Sequence, residues 1–265
     1  MPDARALDAL GRLVDVMARL RGPDGCPWDR EQTPMTLRPY LIEEAYEVLD
    51  ALDRGDDAAV RDELGDVLLQ VVFHAQLASE ANTFTIADVA DAIADKLVRR
   101  HPHVFGDVHV RDANDVVRNW SRIKAEERRA AGDDRDPFAR VPNALPALAR
   151  AEQLGAKAAP LGLDWSDVDG VLAKLDEERH ELGAAIAAGD RDDIEREVGD
   201  LLLAVASAAR HLGVSPELAL RAANARFVER ARHVLEAARA RGVELGDLPP
   251  EAREHLWAAA KNERS

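Results

Sequence analysis

The stretch LIEEAYEVLDALDRGDDAAVRDELGD at residues 41–66 returns as LDEERHELGAAIAAGDRDDIEREVGD at residues 175–200. Glu43, Glu44, Glu47, Glu63 and Asp66 reappear as Glu177, Glu178, Glu181, Glu197 and Asp200, each displaced by 134 positions (177 minus 43). A repeat kept without insertion over such a span reads as one structural unit built twice. A solvated acidic surface has no reason to hold that register, whereas carboxylates that share a cation must sit at fixed places.

Helical geometry turns each residue by about 100°. On that basis Leu41, Ala45, Val48, Leu49 and Leu52 form an apolar stripe with Glu44 and Glu47 on its edge. Val60, Leu64, Val67, Leu68 and Val71 form a second stripe, edged by Glu63 and Asp66. Arg54-Gly55-Asp56-Asp57 between them is a short turn, which makes the two helices antiparallel neighbours. Reversing one helix mirrors its edges, so Glu44, Glu47, Glu63 and Asp66 are expected on one side of the hairpin. The second copy repeats this with Glu178, Glu181, Glu197 and Asp200 around Ala188-Gly189-Asp190-Arg191. Clustered carboxylates repel one another unless a cation joins them, and all-oxygen ligands suit Mg²⁺ or Mn²⁺. A single Glu-Glu-x-x-Glu is ordinarily a wet helix face. The paired helix and the second copy favour a metal site. Glu177-x-x-His180 matches half of a carboxylate di-iron signature, but Tyr46 stands at the equivalent place in the first copy, so di-iron is rejected.

Working outward, periodicity predicts helices over 3–20, 36–53, 57–80, 85–100, 113–130, 145–158, 167–187, 191–212, 215–240 and 249–263, starting among others at Thr83, Asp112 and Ser215-Pro216. A short extended piece is allowed at 104–110. The Gly/Asp/Pro-rich stretch 132–147 reads as a linker between helical domains at 1–131 and 148–265. The repeat extends past the carboxylates. Lys96 and Arg100 resemble Arg226 and Arg230, one turn apart, and Trp120-x-x-x-Lys124 resembles Trp257-x-x-x-Lys261. Beside a metal site, Arg226 and Arg230 make sense as phosphate clamps, because the guanidinium fork matches phosphate oxygens. The two tryptophans read first as packing residues, with a base-stacking surface as the functional alternative. His101, His103, His211 and His233 show no ligand spacing and read as surface or capping histidines.

Composition narrows the class. The 265 residues are 32% charged, 46% hydrophobic and only 4% aromatic, an ordinary globular balance favouring helix. The net charge of −15 repels nucleic acid and anionic membranes, so neither is an expected partner. Cys26 is the single cysteine and reads as a packed or turn residue. No secretory signal is visible and no apolar run approaches transmembrane length, so a cytoplasmic location is expected.

Several motifs in order carry a family resemblance: Gly25-Cys-Pro-Trp-Asp-x-x-Gln32-Thr33, Leu41 to Asp50, Glu63-Leu-Gly-Asp66, Arg99-Arg-His-Pro-His-Val-Phe105, Leu161-Gly-Leu-Asp-Trp165 and Ala209-Arg-His-Leu-Gly213. Over nearly its whole length the chain resembles the two-domain bacterial form of the MazG-type nucleoside triphosphate pyrophosphohydrolases. The resemblance implies an all-α fold of tandem helical domains, Mg²⁺ dependence, homodimerisation and hydrolysis of a nucleoside triphosphate to monophosphate and pyrophosphate. It implies metal ligation by Glu178, Glu181, Glu197 and Asp200. Nucleotide contacts are implied at Lys174 to Glu178, Asp193 to Arg196, Asp200, Arg226, Arg230, Trp257 and Lys261, with activity in the second half. Some relatives carry Lys where Asp193 stands. In that reading Arg226, Arg230 and Lys261 stabilise the departing pyrophosphate, and Glu177 or Glu178 takes the proton of the attacking water. Pool sanitation and alarmone control both fit. The alternatives are a non-catalytic helical dimer that binds nucleotide or a partner, or a narrower dUTP or phosphoribosyl-ATP pyrophosphatase.

Overall fold

The fold turns on two one-glycine corners. Helix α3 (Arg38–Arg54) ends at Gly55, whose φ of 65° is the left-handed conformation that closes a helix C-terminus. Asp56 then caps α4 (Asp57–Glu80), its carboxylate accepting from the N–H groups of Ala58 and Ala59. The second copy repeats both devices. Helix α9 (Val168–Ala188) ends at Gly189, φ 71°, and Asp190 caps α10 (Arg191–His211) through Asp192 and Asp193. These corners fold α3 onto α4 and α9 onto α10 as antiparallel hairpins.

The computed structural model describes residues 3–130 and 136–262. Around the hairpins lie α1 (Ala4–Arg21), α2 (Pro27–Glu31), α5 (Ile86–Arg100), α6 (Pro102–Phe105), α7 (Ala113–Ala130), α8 (Ala147–Ala158), α11 (Pro216–Ala240) and α12 (Pro250–Asn262). The chain divides into two compact units, residues 1–127 and 128–265. Of the expected linker, residues 132–135 lie outside the described residues; Val141 further along is buried, so that part is anchored.

In the first unit Met17 of α1, Leu37, and Val72 and Phe73 of α4 form the core, flanked by Leu13, Leu20, Leu69 and Ile86. Arg21, 8% exposed at its side chain, ties the core to the loop before α3. Its guanidinium forms a fork to Glu80 (2.7 and 2.8 Å) and donates to the carbonyls of Asp29 and Gln32. In the second unit Val171 of α9 is fully enclosed, while Val234 and Ala238 of α11 pack on Leu256 and Ala260 of α12.

Four expectations are corrected. Residues 104–110 form no strand: Pro102–Phe105 is a helical turn, because Pro102 sits at a first helical position where its missing N–H costs nothing. Helix α5 is capped by Thr85 rather than Thr83, since Thr85 and Asp88 form a capping box, while the Thr83 hydroxyl donates to the Ala78 carbonyl. The hairpin stripes are not covered by the hairpin alone: Leu41, Leu52, Leu64 and Val71 stay exposed, because two helices bury only the seam between them. His211 is not a surface histidine. Its ring nitrogen meets Asp164 at 3.1 Å and its side chain is 13% exposed.

Asp164 is the hub of that contact. Arg210 reaches both of its oxygens, at 2.6 and 2.7 Å, so the Leu161–Trp165 loop is locked to the end of α10. Burial pushes the Asp164 carboxyl up, but the bonds from His211 and Arg210 outweigh it and hold the group below its usual range. Its stabilising contribution is therefore present above the unfolded value and lost as pH falls through that value and below. Asp164→Asn leaves the 11%-exposed site with an unmatched arginine. A loss of about 2–4 kcal/mol in urea unfolding at pH 7 is expected. The gap between variant and parent should shrink as the pH is lowered toward about 3.

Candidate metal centre

Each hairpin brings three carboxylates to one point. One oxygen from each of Glu178 on α9 and Glu197 and Asp200 on α10 lies within 4.8 Å of the others. Glu44 on α3 and Glu63 and Asp66 on α4 do the same in the first copy. The mirrored edges of an antiparallel hairpin produce both trios, as the sequence pattern requires. The fourth expected ligand differs between copies. Glu47 stands outside the first trio, yet close enough to help raise the carboxyls of both Glu44 and Glu63. Glu181 is exposed and is not brought into the second trio.

The two trios differ in electrostatics. In the first, desolvation, followed by the neighbouring acids, pushes Glu44 and Glu63 above the usual carboxylate range. In the second, Glu178 and Glu197 are each only 5% exposed, with Asp200 more open to solvent. Lys174 Nζ lies 2.8 Å from Glu178 Oε1 and 2.9 Å from Glu177 Oε1. Arg196 joins Glu197 Oε1 at 2.9 Å and Asp193 at 2.7 Å. Glu178 Oε2 and Glu197 Oε2 are buried and accept no hydrogen bond from the chain. A buried carboxylate oxygen left this way costs about 1–3 kcal/mol or more. A hard divalent cation shared by the trio would satisfy both, so the residues present fit Mg²⁺ or Mn²⁺.

The expected phosphate clamps of the second unit and Trp257 stand on α11 and α12. Arg226 and Arg230 line a cavity of about 410 Å³ with His233 and Ala260, and its lining includes no member of the trio. Among the described residues neither arginine forms an ion pair. In the first copy Arg100 is occupied: it and Arg99 both clasp Glu127 at 2.6 Å, and the bond from Arg100 above all draws the Glu127 carboxyl down to about 2. Trp257 packs against the α11–α12 core and Phe227, ring centroids 5.4 Å apart, which is the packing role. Trp120 sits edge-on to His101 at 4.9 Å. Lys261 is exposed and has contacts of its own.

The MazG nucleotide pyrophosphohydrolase domain matches this chain twice, over residues 32–105 and 167–235. Each match spans one hairpin and its carboxylate trio. The chain belongs to the MazG family. It is 43% identical over 262 residues to a nucleoside triphosphate pyrophosphohydrolase of Escherichia coli, covering 97% of this chain and 98% of that protein. It is 44% identical over 249 residues to a nucleoside triphosphate pyrophosphohydrolase/pyrophosphatase of Thermotoga maritima, covering 94% of both chains. A Mycolicibacterium smegmatis relative of the same name is 37% identical over 231 residues, with 78% of this chain and 68% of that protein covered. The expected all-α tandem MazG architecture is thus the observed one.

Lys174 and Arg196 were expected as nucleotide contacts of this MazG chain, but not as ion-pair partners of Glu178 and Glu197. The Lys174–Glu178 spacing of four residues is the signal that would have shown one of them. Mg²⁺ should raise the thermal stability of the protein, by about 1.4 kcal/mol for each occupied trio at an ion concentration ten times the dissociation constant. The Glu44→Gln/Glu178→Gln double variant should lose that increment in a thermal shift titration.

Proposed function

We propose that this chain hydrolyses nucleoside triphosphates at the bond between the α- and β-phosphates, and that the second copy does the chemistry. The observation that carries this reading is the pair of buried oxygens on Glu178 and Glu197 that meet no donor of the chain. Family membership and the relatives' names support the reaction class. A divalent ion bound there would neutralise phosphate charge and help ionise the attacking water.

The chain's own groups have divided tasks. Glu178, Glu197 and Asp200 would hold the ion. Arg226 and Arg230 offer planar N–H donors to phosphate charge as pyrophosphate departs. Lys261, exposed at the end of α12, adds a further cation. Glu177, exposed and bonded to Lys174, and Glu178 remain the two candidates for receiving the water's proton. The first copy keeps its carboxylates, but Glu127 holds its Arg100, which makes it an assembly module rather than a second catalytic site.

The same reading makes the protein a homodimer. Leu172, Ile186, Val198, Leu202, Leu203 and Val205 are 41–59% exposed along the α9–α10 hairpin, an apolar face larger than one copy covers. Among the described residues no helix is long and apolar enough to cross a membrane.

A panel of ribo- and deoxyribonucleoside triphosphates with Mg²⁺ should yield monophosphate and pyrophosphate. Glu178→Ala and Asp200→Ala should lower kcat on the order of a hundredfold to a thousandfold. Glu44→Ala and Asp66→Ala should leave most turnover, and equal severity in both copies would overturn the assignment of the active half. Leu202→Glu combined with Leu203→Glu should convert a dimer to a monomer in sedimentation velocity.

A further inference from the structure

The two trios have equivalent carboxylates, but the cations beside them differ. At the second trio, Lys174 and Arg196 each bind one buried glutamate through its Oε1, at 2.8 and 2.9 Å. In both cases Oε2 of the same carboxylate has no donor. Each glutamate is therefore split, with one oxygen neutralised by the chain and the other left for an external cation. One hundred and thirty-four positions earlier stand Tyr40 and Asp62, neither of them a cation; the positive charge acting on the first trio is Arg54, through Glu63 alone.

The affinity of an oxygen site for a divalent ion follows the number of ligand charges it presents. Three carboxylates opposed by an ammonium and a guanidinium present far less charge than three alone. A polyphosphate restores the missing negative charge. It also offers Lys174 and Arg196 better partners than a carboxylate already shared with an ion.

We propose that Lys174, seconded by Arg196, makes divalent-ion binding at the second trio depend on a polyphosphate ligand. This rests on the catalytic reading of that trio. Lys174 here is a positioning residue: it holds Glu178 with one oxygen outward and suppresses ion retention until phosphate arrives. Of the two cations it is the stronger, because its side chain is 31% exposed against 59% for Arg196. The coupling is reciprocal, so an ion must tighten polyphosphate binding by the factor with which polyphosphate tightens the ion.

The test is Mn²⁺ binding to the full chain, read from the electron paramagnetic resonance of free Mn²⁺. The Glu63→Gln background removes ion held at the first trio. The α,β-methylene analogue of ATP is added or omitted. The parent should bind Mn²⁺ weakly at the second trio, and the analogue should tighten it about tenfold or more. Lys174→Gln should raise Mn²⁺ affinity about tenfold without the analogue and shrink the analogue's effect. Lys174→Arg should behave as the parent, and Arg196→Gln should show a smaller change in the direction of Lys174→Gln. Unchanged or weaker Mn²⁺ binding in Lys174→Gln, with native helicity by circular dichroism, would overturn the inference. If Lys174→Gln does not fold, an unchanged Arg196→Gln would do so. Failure of the parent to turn over any triphosphate sinks the catalytic reading. Intact turnover with Mn²⁺ binding indifferent to Lys174 and Arg196 sinks only this one.

Discussion

Two glutamates buried side by side, facing one another across an antiparallel hairpin, are a costly arrangement unless positive charge is supplied. Glu178 and Glu197 meet that constraint only halfway within the chain: Lys174 and Arg196 take one oxygen of each, and the other oxygen of each has no protein donor. A divalent ion would supply the remaining charge. Much else in the second unit is arranged around that need. The Gly189–Asp190 corner sets the two helices antiparallel, so that their acidic edges coincide. The Asp164 lock ties the loop before α9 to the end of α10 and fixes the far end of the pair.

Duplication has let the two copies diverge around a common frame. Corner, cap and trio are kept in both, which marks them as requirements of the hairpin. What changed is the charge next to the trio and the state of the basic helix. Tyr40 and Asp62 stand where Lys174 and Arg196 do, and Glu127 clasps Arg100 while Arg226 and Arg230 line an open cavity. On the proposed reading, the same scaffold serves assembly in one copy and phosphate chemistry in the other.

The sequence made the hairpins and their carboxylates legible because both rest on local rules. The 100° helical turn fixes which edge Glu44 or Glu178 occupies, and Gly-Asp at a corner has one conformational solution. The helix limits followed closely for the same reason. Less legible was anything decided by contact between distant segments. Asp164 and His211 lie in separate motifs, and nothing in either says that they meet. Glu181 kept its register yet is exposed and outside the trio, since a repeat preserves position on a helix face but not the rotamer. The apolar stripes were wider than one hairpin seam, so periodicity alone could not say what covers them.

The claim at the centre is that an ion sits on the trio of Glu178, Glu197 and Asp200 when a triphosphate is present. Anomalous scattering from crystals grown with Mn²⁺ and a non-hydrolysable triphosphate tests it most directly. The account predicts a Mn²⁺ peak bridging Glu178 and Glu197, with phosphate oxygens completing its coordination. A peak confined to Glu44, Glu63 and Asp66, or nucleotide bound with no ion at the second trio, would contradict it.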